Sequence, residues 1–306
     1  MPECLRGDGR LLVRGSEATR GGGMMRLPVR IFSDLHLGHK ASRIDGVEAL
    51  MPLFEGAGTV VFNGDTWEEL SESWREKSGE MLDRLRELLD TAGIDTVFLP
   101  GNHDPGWDGL GFIELAGGKV VVSHGDALLR DGAPWKREML AGRVIVDGLW
   151  EQFPAADTDP AARHELARAI AKRMPTLHAP EGRSLFSRIV DAAFPPLRPW
   201  NMLKTWIGYG GLGATFCETY FPDAEILVTG HFHCRGIRKS RGKIVLNTGS
   251  FVVPGPAAWV EWDGETLSMG AILETKNGFA AAGANPIRRF VSETENKRLH
   301  NKIGNF

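Results

Sequence analysis

Gly101-Asn102-His103-Asp104 stands directly after Thr96–Pro100, an apolar run that predicts a short buried strand. Four other apolar runs also end in residues that bind metals. These endings are Ser33-Asp34-Leu35-His36, Asn63-Gly64-Asp65, Ser123-His124-Gly125-Asp126 and Gly230-His231-Phe232-His233. In open α/β sheets, ligands bind in the crevice beyond the carboxyl ends of the strands. We therefore expect the candidate ligands of all five endings to meet at one sheet edge.

The pattern around these strands indicates an α/β fold. Ser78–Thr91 carries leucine and methionine at helical spacing, and Gly93 follows it as a helix stop. Alternation of strand and helix is typical of an α/β sheet. Farther along, Lys243–Asn247, Ala258–Trp262 and Thr266–Leu273 follow one another without a helix, and Asp263-Gly264 predicts a hairpin. We expect this last part of the sheet to be antiparallel.

Composition and charge exclude several classes of protein. The chain has 306 residues, of which 42% are hydrophobic and 25% charged, which is typical of soluble globular proteins. Because 36 Lys+Arg face 39 Asp+Glu, the net charge is −3, and nucleic acid is not an expected partner. Cys4, Cys217 and Cys234 lack CxxC spacing, which argues against a disulfide framework and favours the cytoplasm. No window is apolar enough for a transmembrane segment.

The predicted organisation is a leader, a domain with an insertion, and a tail. Residues 1–26 contain three consecutive glycines and are predicted to be a disordered leader. Residues 27–275 form the predicted domain. Within it, residues 132–221 form a helical cap insertion that includes an amphipathic helix at Ala161–Met174. Residues 276–306 are polar and are interpreted as a C-terminal tail.

The spacing of the candidate ligands suits metal binding. In Asp34-Leu35-His36 and His231-Phe232-His233, alternate residues of an extended chain project to the same side, so each pair can hold one ion or straddle two. Carboxylate, amide and imidazole donors together favour Mn²⁺, Fe²⁺ or Zn²⁺. The absence of thiolates argues against a structural zinc site.

The motif series DxH, GD, GNHD, HGD and GHxH, in this order, resembles the calcineurin-like metallophosphoesterase superfamily over residues 30–273. The resemblance implies a four-layer α/β/β/α sandwich with two divalent ions, Mn²⁺ or alternatively Fe²⁺ or Zn²⁺. It assigns one ion to Asp34, His36, Asp65 and His233. It assigns the other ion to Asp65, Asn102, His124 and His231, so that Asp65 bridges both.

The resemblance also implies a hydrolytic mechanism. The two ions supply a hydroxide that attacks phosphorus in line, without a covalent phosphoenzyme. His103 then stabilises the developing charge or protonates the leaving oxygen, and Asp104 fixes the tautomer of His103. Asp126 and Glu68 match acidic positions of relatives, and we expect them to support the ligands.

The predicted cap combines aromatic and basic residues. Its cations Arg183, Arg188, Arg198 and Lys204 lie among aromatic residues, a composition that suits a phosphate-bearing nucleotide or lipid. The alternative is that the aromatic residues form the core of the cap. The uncharged run Trp206–Phe216 contains four glycines and is interpreted either as a mobile lid or membrane-touching loop, or as a buried turn.

Three interpretations of function follow. The first is a phosphatase or phosphodiesterase acting on a small phosphorylated substrate. The second rests on a partial resemblance to UDP-2,3-diacylglucosamine pyrophosphatases, carried by HGD followed by Asp131 and by the aromatic insertion, although His103 replaces the arginine usual in that subfamily. The third is a non-enzymatic scaffold on the same fold. We expect a cytoplasmic protein, with peripheral membrane contact through the cap as an alternative.

Overall fold

The described part of the chain comprises residues 25–133, 142–173 and 197–290 of a computed structural model. Parts of the predicted leader, cap and tail therefore lie outside the described residues. The strands are β1 Val29–Phe32, β2 Thr59–Asn63, β3 Asp95–Leu99, β4 Phe112–Leu115, β5 Val120–Ser123, β6 Ile226–Thr229, β7 Gly236–Ser240, β8 Lys243–Asn247, β9 Ala258–Trp262, β10 Thr266–Thr275, β11 Gly278–Ala281 and β12 Asn285–Arg289. The helices are α1 Met51–Phe54, α2 Arg75–Thr91, α3 Arg143–Gln152, α4 Pro160–Arg173 and α5 Leu197–Tyr220.

The first sheet has the order β11-β10-β9-β1-β2-β3, and β12 also pairs with β10. Strands β1, β2 and β3 are parallel, with Val29 opposite Thr59 at the start of the first pair. Strand β9 is antiparallel to both β1 and β10. The predicted hairpin between β9 and β10 is confirmed, and the Asp263 carboxylate accepts hydrogen bonds from the N–H groups of Glu265 and Thr266.

The second sheet has the order β4-β5-β6-β8-β7. Strands β5, β6 and β8 are parallel, and the edge strands β4 and β7 are antiparallel to their neighbours. The antiparallel arrangement predicted for the last strands therefore holds for β9 and β10, whereas β8 has an antiparallel partner on one side only, the edge strand β7. Strand β8 instead continues the parallel part of the second sheet, beside β6.

The two sheets pack face to face, with helices on both outer faces. Val61 of β2 and Val122 of β5 lie in the core between the sheets. The neighbouring Val60 packs in a cluster with Leu85 of α2 on one outer side, and Val121 with Phe216 of α5 on the other. This is the α/β/β/α sandwich that the family resemblance implied. Since both faces of each sheet are covered, the central strands are continuous apolar runs.

Within the predicted cap range, the run Trp206–Phe216 forms the middle of helix α5, so the prediction of a loop or turn there is wrong. Two of its four glycines explain the difference. A Cβ at Gly210 would lie 2.7 Å from Cβ of Arg238, and a Cβ at Gly213 would lie 2.7 Å from a methyl carbon of Val245. The glycines therefore let α5 approach β7 and β8 closely, a packing benefit that outweighs their low helix propensity.

The segment predicted as a tail also differs in its first part. Strands β11 and β12 both pair antiparallel with β10, from Thr275 opposite Gly278 to Thr266 opposite Arg289. Phe279 of β11 is buried in the same core cluster as Phe251. The first sheet therefore extends beyond residue 275. Each of these two strands has a single large apolar residue, Phe279 or Ile287, which is too weak a pattern to predict a strand from sequence.

Candidate metal centre

Five candidate ligands have an unusual backbone conformation. Asp34, His36, Asp65, His231 and His233 all have φ between +48° and +66°, in the left-handed region. Residues other than glycine rarely adopt this region, and residues that do so cluster at functional sites. The sharp turns at the ends of β1, β2 and β6 bring these side chains back over one edge of the sandwich.

The first group of converging side chains consists of Asp34, His36, Asp65 and His233, whose ligand atoms all lie within 4.8 Å of one another. Nε2 of His233 is 3.1 Å from Oδ1 of Asp34, and Nε2 of His36 is 3.7 Å from Oδ2 of Asp65. Two carboxylates and two imidazoles form a donor set that could hold a divalent transition metal ion.

The second group consists of Asp65, His124 and His231. Nε2 of His124 is 3.3 Å from Oδ2 of Asp65. Asn102 lines the same cavity as Asp65 and His231, and its Oδ1 is buried without a hydrogen-bond partner. Because Asp65 belongs to both groups, its carboxylate lies between two adjacent candidate sites.

The ring nitrogens of three histidines are arranged as metal ligands require. Each ring uses one nitrogen for a hydrogen bond away from the other ligands. The bonds join His36 Nδ1 to Glu68 at 2.8 Å, His124 Nδ1 to the Asn63 carbonyl at 2.9 Å and His231 Nε2 to the Gly132 carbonyl at 2.8 Å. Such bonds fix the tautomer and leave the second nitrogen as an acceptor for a metal. Nε2 of His124 is buried without a hydrogen-bond partner, as a nitrogen that could bind a metal ion would be.

Two glycines allow the carboxylates to approach the backbone. A Cβ at Gly101 would collide with Oδ1 of Asp65, and a Cβ at Gly230 would collide with Oδ2 of Asp34. The glycines that follow β3 and β6 are therefore required for the positions of these two carboxylates.

Glu68 joins two histidines and is 1% exposed. Its Oε1 lies 2.8 Å from Nδ1 of His36, and its Oε2 lies 2.9 Å from Nδ1 of His103. Burial raises the pKa of Glu68, but the charge and hydrogen bond of His103, together with His36, hold it well below its usual range. Burial likewise lowers the pKa of His36, but Glu68 and the charges of Asp65 and Asp34 raise it to about 9. Both shifts reflect the close approach of carboxylates and imidazoles in this cluster, where each charged form stabilises the other.

Asp104 does not have the role that the family resemblance implied. Its carboxylate accepts hydrogen bonds from the backbone N–H groups of Asp65, Thr66 and Gly101, at 2.8, 2.8 and 2.9 Å, and from Nε1 of Trp107 at 3.1 Å. The partner of the His103 ring is Glu68 instead. Asp104 thus ties together the loops after β2 and β3, because its side chain turns back towards backbone donors that would otherwise be buried without partners.

The remaining candidates are one buried carboxylate and four cations of the predicted cap. Asp126 is buried, its Oδ1 accepts a hydrogen bond from the N–H of Ala127 at 2.9 Å, and burial raises its pKa. Lys204 is exposed on α5, and Arg198 lies in the first turn of that helix. Arg183 and Arg188 lie outside the described residues.

A cavity of about 130 Å³ lies against the candidate ligands. It is lined by Asp65, Asn102, His103, His231, Phe232 and His233, and by Met202 and Trp206 of α5. The sequence analysis did not identify Met202 as a residue of the cavity wall. The signal that could have found it is its spacing of four residues from Trp206, which places both side chains on one face of a helix.

The sequence matches the model of the calcineurin-like phosphoesterase family over residues 27–235. The chain belongs to the calcineurin-like phosphoesterase family. The matched range contains strands β1 to β6 and all seven candidate ligands. No curated protein sequence is significantly similar to the chain. The partial resemblance to UDP-2,3-diacylglucosamine pyrophosphatases is not confirmed and stays a prediction.

Several solved structures are similar to the chain at low sequence identity. A dimetal phosphatase from Danio rerio is 12% identical, with a TM-score of 0.44 and coverage of 86% of this chain and 99% of that one. Vps29 from Cryptosporidium parvum is 13% identical, with a TM-score of 0.39 and coverage of 86% and 98%. A protein-tyrosine phosphatase from Shewanella is 13% identical, with a TM-score of 0.36 and coverage of 84% and 80%.

Among the described helices, none is both long and apolar enough to cross a membrane.

Proposed function

We propose that the protein is a hydrolase with two divalent metal ions that cleaves a small phosphate ester or phosphodiester. The observation that carries the proposal is the position of Asp65, whose carboxylate belongs to both groups of converging ligand atoms. Two ions that share a ligand lie close enough together to act on one phosphoryl group. When bound, they neutralise the charge of the phosphoryl oxygens and lower the pKa of water towards neutrality.

Seven side chains hold the ions in this proposal, and none of them is a thiolate. They are Asp34, His36, Asp65, Asn102, His124, His231 and His233. Oxygen and imidazole donors of this kind suit Mn²⁺, with Fe²⁺ and Zn²⁺ as alternatives. Cys217 and Cys234 are free thiols, which supports our assignment of the protein to the cytoplasm.

His103 is the proton donor in this proposal. Its ring lines the cavity, and its backbone N–H donates to Oδ1 of Asp65 at 2.7 Å. Because Glu68 holds Nδ1, the imidazole keeps a fixed orientation in the cavity wall. The proton on Nε2 then passes to the leaving oxygen, which departs as an alcohol. Asp104 keeps the two loops that carry Asp65 and His103 in register.

The proposal is tested with metal-stripped protein resupplied with Mn²⁺, assayed on a phosphomonoester and a phosphodiester. We expect hydrolysis of at least one ester by wild type, and in Asp65→Asn a loss of activity of more than about a hundredfold together with a loss of bound metal. Asp45→Asn, which removes an exposed carboxylate elsewhere, is the matched control and should behave as wild type.

Circular dichroism of Asp65→Asn must show a folded chain for the comparison to be valid. Normal turnover by Asp65→Asn contradicts the metal assignment. Wild type that binds two equivalents of Mn²⁺ but hydrolyses neither ester contradicts the enzymatic function and supports the scaffold interpretation.

A further inference from the structure

The cavity beside the candidate ligands has two chemically different walls. One wall is formed by groups that ionise or bind metals, among them Asp65, His103 and His231. The other is formed by Met202 and Trp206 of α5. A ligand that fills this cavity therefore needs a polar end and an apolar end.

The apolar wall continues to the surface of the molecule. Successive residues of a helix are turned by about 100°, so Met202 and Trp206, four residues apart, are neighbours, and so are Leu203 and Trp206, three residues apart. Exposure follows this order, since Met202 is partly buried, Trp206 is 39% exposed and Leu203 is 45% exposed. We call these three side chains the α5 strip. It runs from the cavity to solvent without a charged residue.

The exposure of the α5 strip needs an explanation. Burial of apolar surface is favourable, so a tryptophan left partly in water beside a cavity lacks part of the stabilisation that full burial would give. Contact with the apolar part of a bound molecule would bury more of Trp206 and supply the missing stabilisation. Trp200 and Ile207, 56% and 73% exposed, neighbour Leu203 on the same helix and widen this apolar surface, so it offers room for the apolar part of a ligand.

We propose that the substrate is a phosphate ester of an apolar alcohol, whose apolar part lies along the α5 strip while its phosphoryl group lies at the candidate ligands. The inference rests on the proposed function, and it names the substrate class of the same site. It makes Trp206 and Met202 the residues that determine specificity. Each methylene buried against them is expected to tighten binding about fourfold.

The test measures binding with alkylphosphonates, whose carbon–phosphorus bond is not an ester. Isothermal titration calorimetry of the full chain loaded with Mn²⁺ gives the Kd of ethylphosphonate and of hexylphosphonate, which have the same charged group. If two of the four additional methylenes become buried, hexylphosphonate binds about 15-fold more tightly to wild type. In Trp206→Ala this ratio falls towards one, because the Kd of hexylphosphonate rises more than that of ethylphosphonate.

Two further variants control the comparison. Ile237→Ala removes an apolar side chain of β7, which is 41% exposed and does not line the cavity, and should keep the wild-type ratio. Met202→Gln keeps the size of the side chain but makes it polar, and should lower the ratio as Trp206→Ala does. Hydrolysis of ethyl and hexyl phosphate, which have leaving groups of similar basicity, is measured in parallel.

The outcomes separate this inference from the proposed function. Equal Kd values for the two phosphonates in wild type, or an unchanged ratio in Trp206→Ala, overturn the inference even where both esters are hydrolysed. Chain-length-dependent binding without hydrolysis of either ester supports the inference and overturns the proposed hydrolytic function. If neither phosphonate binds to the Mn²⁺-loaded protein, the inference is overturned, and if neither ester is hydrolysed either, the proposed function is overturned with it.

Discussion

Glu68 connects the candidate metal ligand His36 with the candidate proton donor His103 through the two oxygens of one carboxylate. A change at Glu68 therefore affects metal binding and proton transfer together. A carboxylate can accept hydrogen bonds from both imidazoles, whereas a neutral amide has one acceptor atom and carries no charge that stabilises an imidazolium.

For Glu68→Gln we expect kcat to fall about 10–100-fold, with weaker metal binding. The loss should grow as the leaving group becomes more basic, because such groups depend most on the proton from His103. The measurement is kcat for a series of aryl and alkyl phosphates. Glu69→Gln is the matched control, since Glu69 accepts a hydrogen bond from the N–H of Gly106 and contacts neither histidine in the described hydrogen bonds. A Glu68→Gln loss that is equal for every leaving group would contradict its role through His103.

At the scale of residues, the sequence located the candidate ligands but misassigned one partner. The structure brings Asp34, Asp65 and His233 together because each follows a strand whose end faces the same edge. Glu68 and His103 are 35 positions apart, so their contact depends on the paths of two loops. Asp104 is adjacent to His103 in sequence, but its carboxylate accepts hydrogen bonds from backbone N–H groups of both loops instead.

At the scale of elements, strands were predictable where both faces are buried. The bounds of β2 and β6 match the predicted Thr59–Asn63 and Ile226–Thr229. Helix α5 was not predictable, because the reason for its glycines lies in β7 and β8, far away in sequence. Strand β7 has only one large apolar residue, Ile237, and it is exposed, so no apolar pattern marks this edge strand.

Helix α4 is joined to the second sheet by a buried histidine. His164 is 4% exposed, its Nδ1 lies 2.7 Å from the Pro160 carbonyl, and its Nε2 lies 2.8 Å from Oγ of Ser123 at the end of β5. The Nδ1–H donates and Nε2 accepts, which is the pattern of a neutral imidazole. Burial lowers the pKa of His164 to about 4.

This pKa predicts a loss of stability in acid. The unfolded chain has a histidine pKa of about 6.5, so between pH 6.5 and pH 4 it binds a proton that the folded chain does not bind. The contribution is fully present above pH 6.5 and decreases as the pH falls, by about 2 kcal/mol at pH 5. In His164→Gln, the change in the free energy of unfolding between pH 7.5 and pH 5 should be smaller than in wild type by this amount, as measured by urea denaturation.

Ser123→Ala serves as the control for this prediction. It removes the hydroxyl partner but leaves His164 buried, so the pH dependence of wild type should persist. An identical pH dependence in wild type and His164→Gln would show that His164 keeps an ordinary pKa.

At the scale of the whole molecule, the candidate ligands come from both sheets. Asp34, Asp65 and Asn102 follow strands of the first sheet, and His124 and His233 follow strands of the second. The two sheets otherwise contact each other through apolar side chains such as Val61 and Val122. Ions bound between these ligands would connect the two sheets at their common edge, which the unfolded chain cannot do.

Metal binding should therefore raise the free energy of unfolding. A ligand that binds only the folded state and is present at a free concentration of 100 times its Kd raises the free energy of unfolding by about 2.7 kcal/mol. Two ions contribute two such increments. Because His233 belongs to only one of the two groups, His233→Ala should keep one increment, whereas Asp65→Asn, which alters both groups, should lose both. The measurement is urea denaturation of each protein with Mn²⁺ and with a chelator. Equal stabilisation by Mn²⁺ in wild type and Asp65→Asn would mean that the ions bind elsewhere and do not connect the sheets.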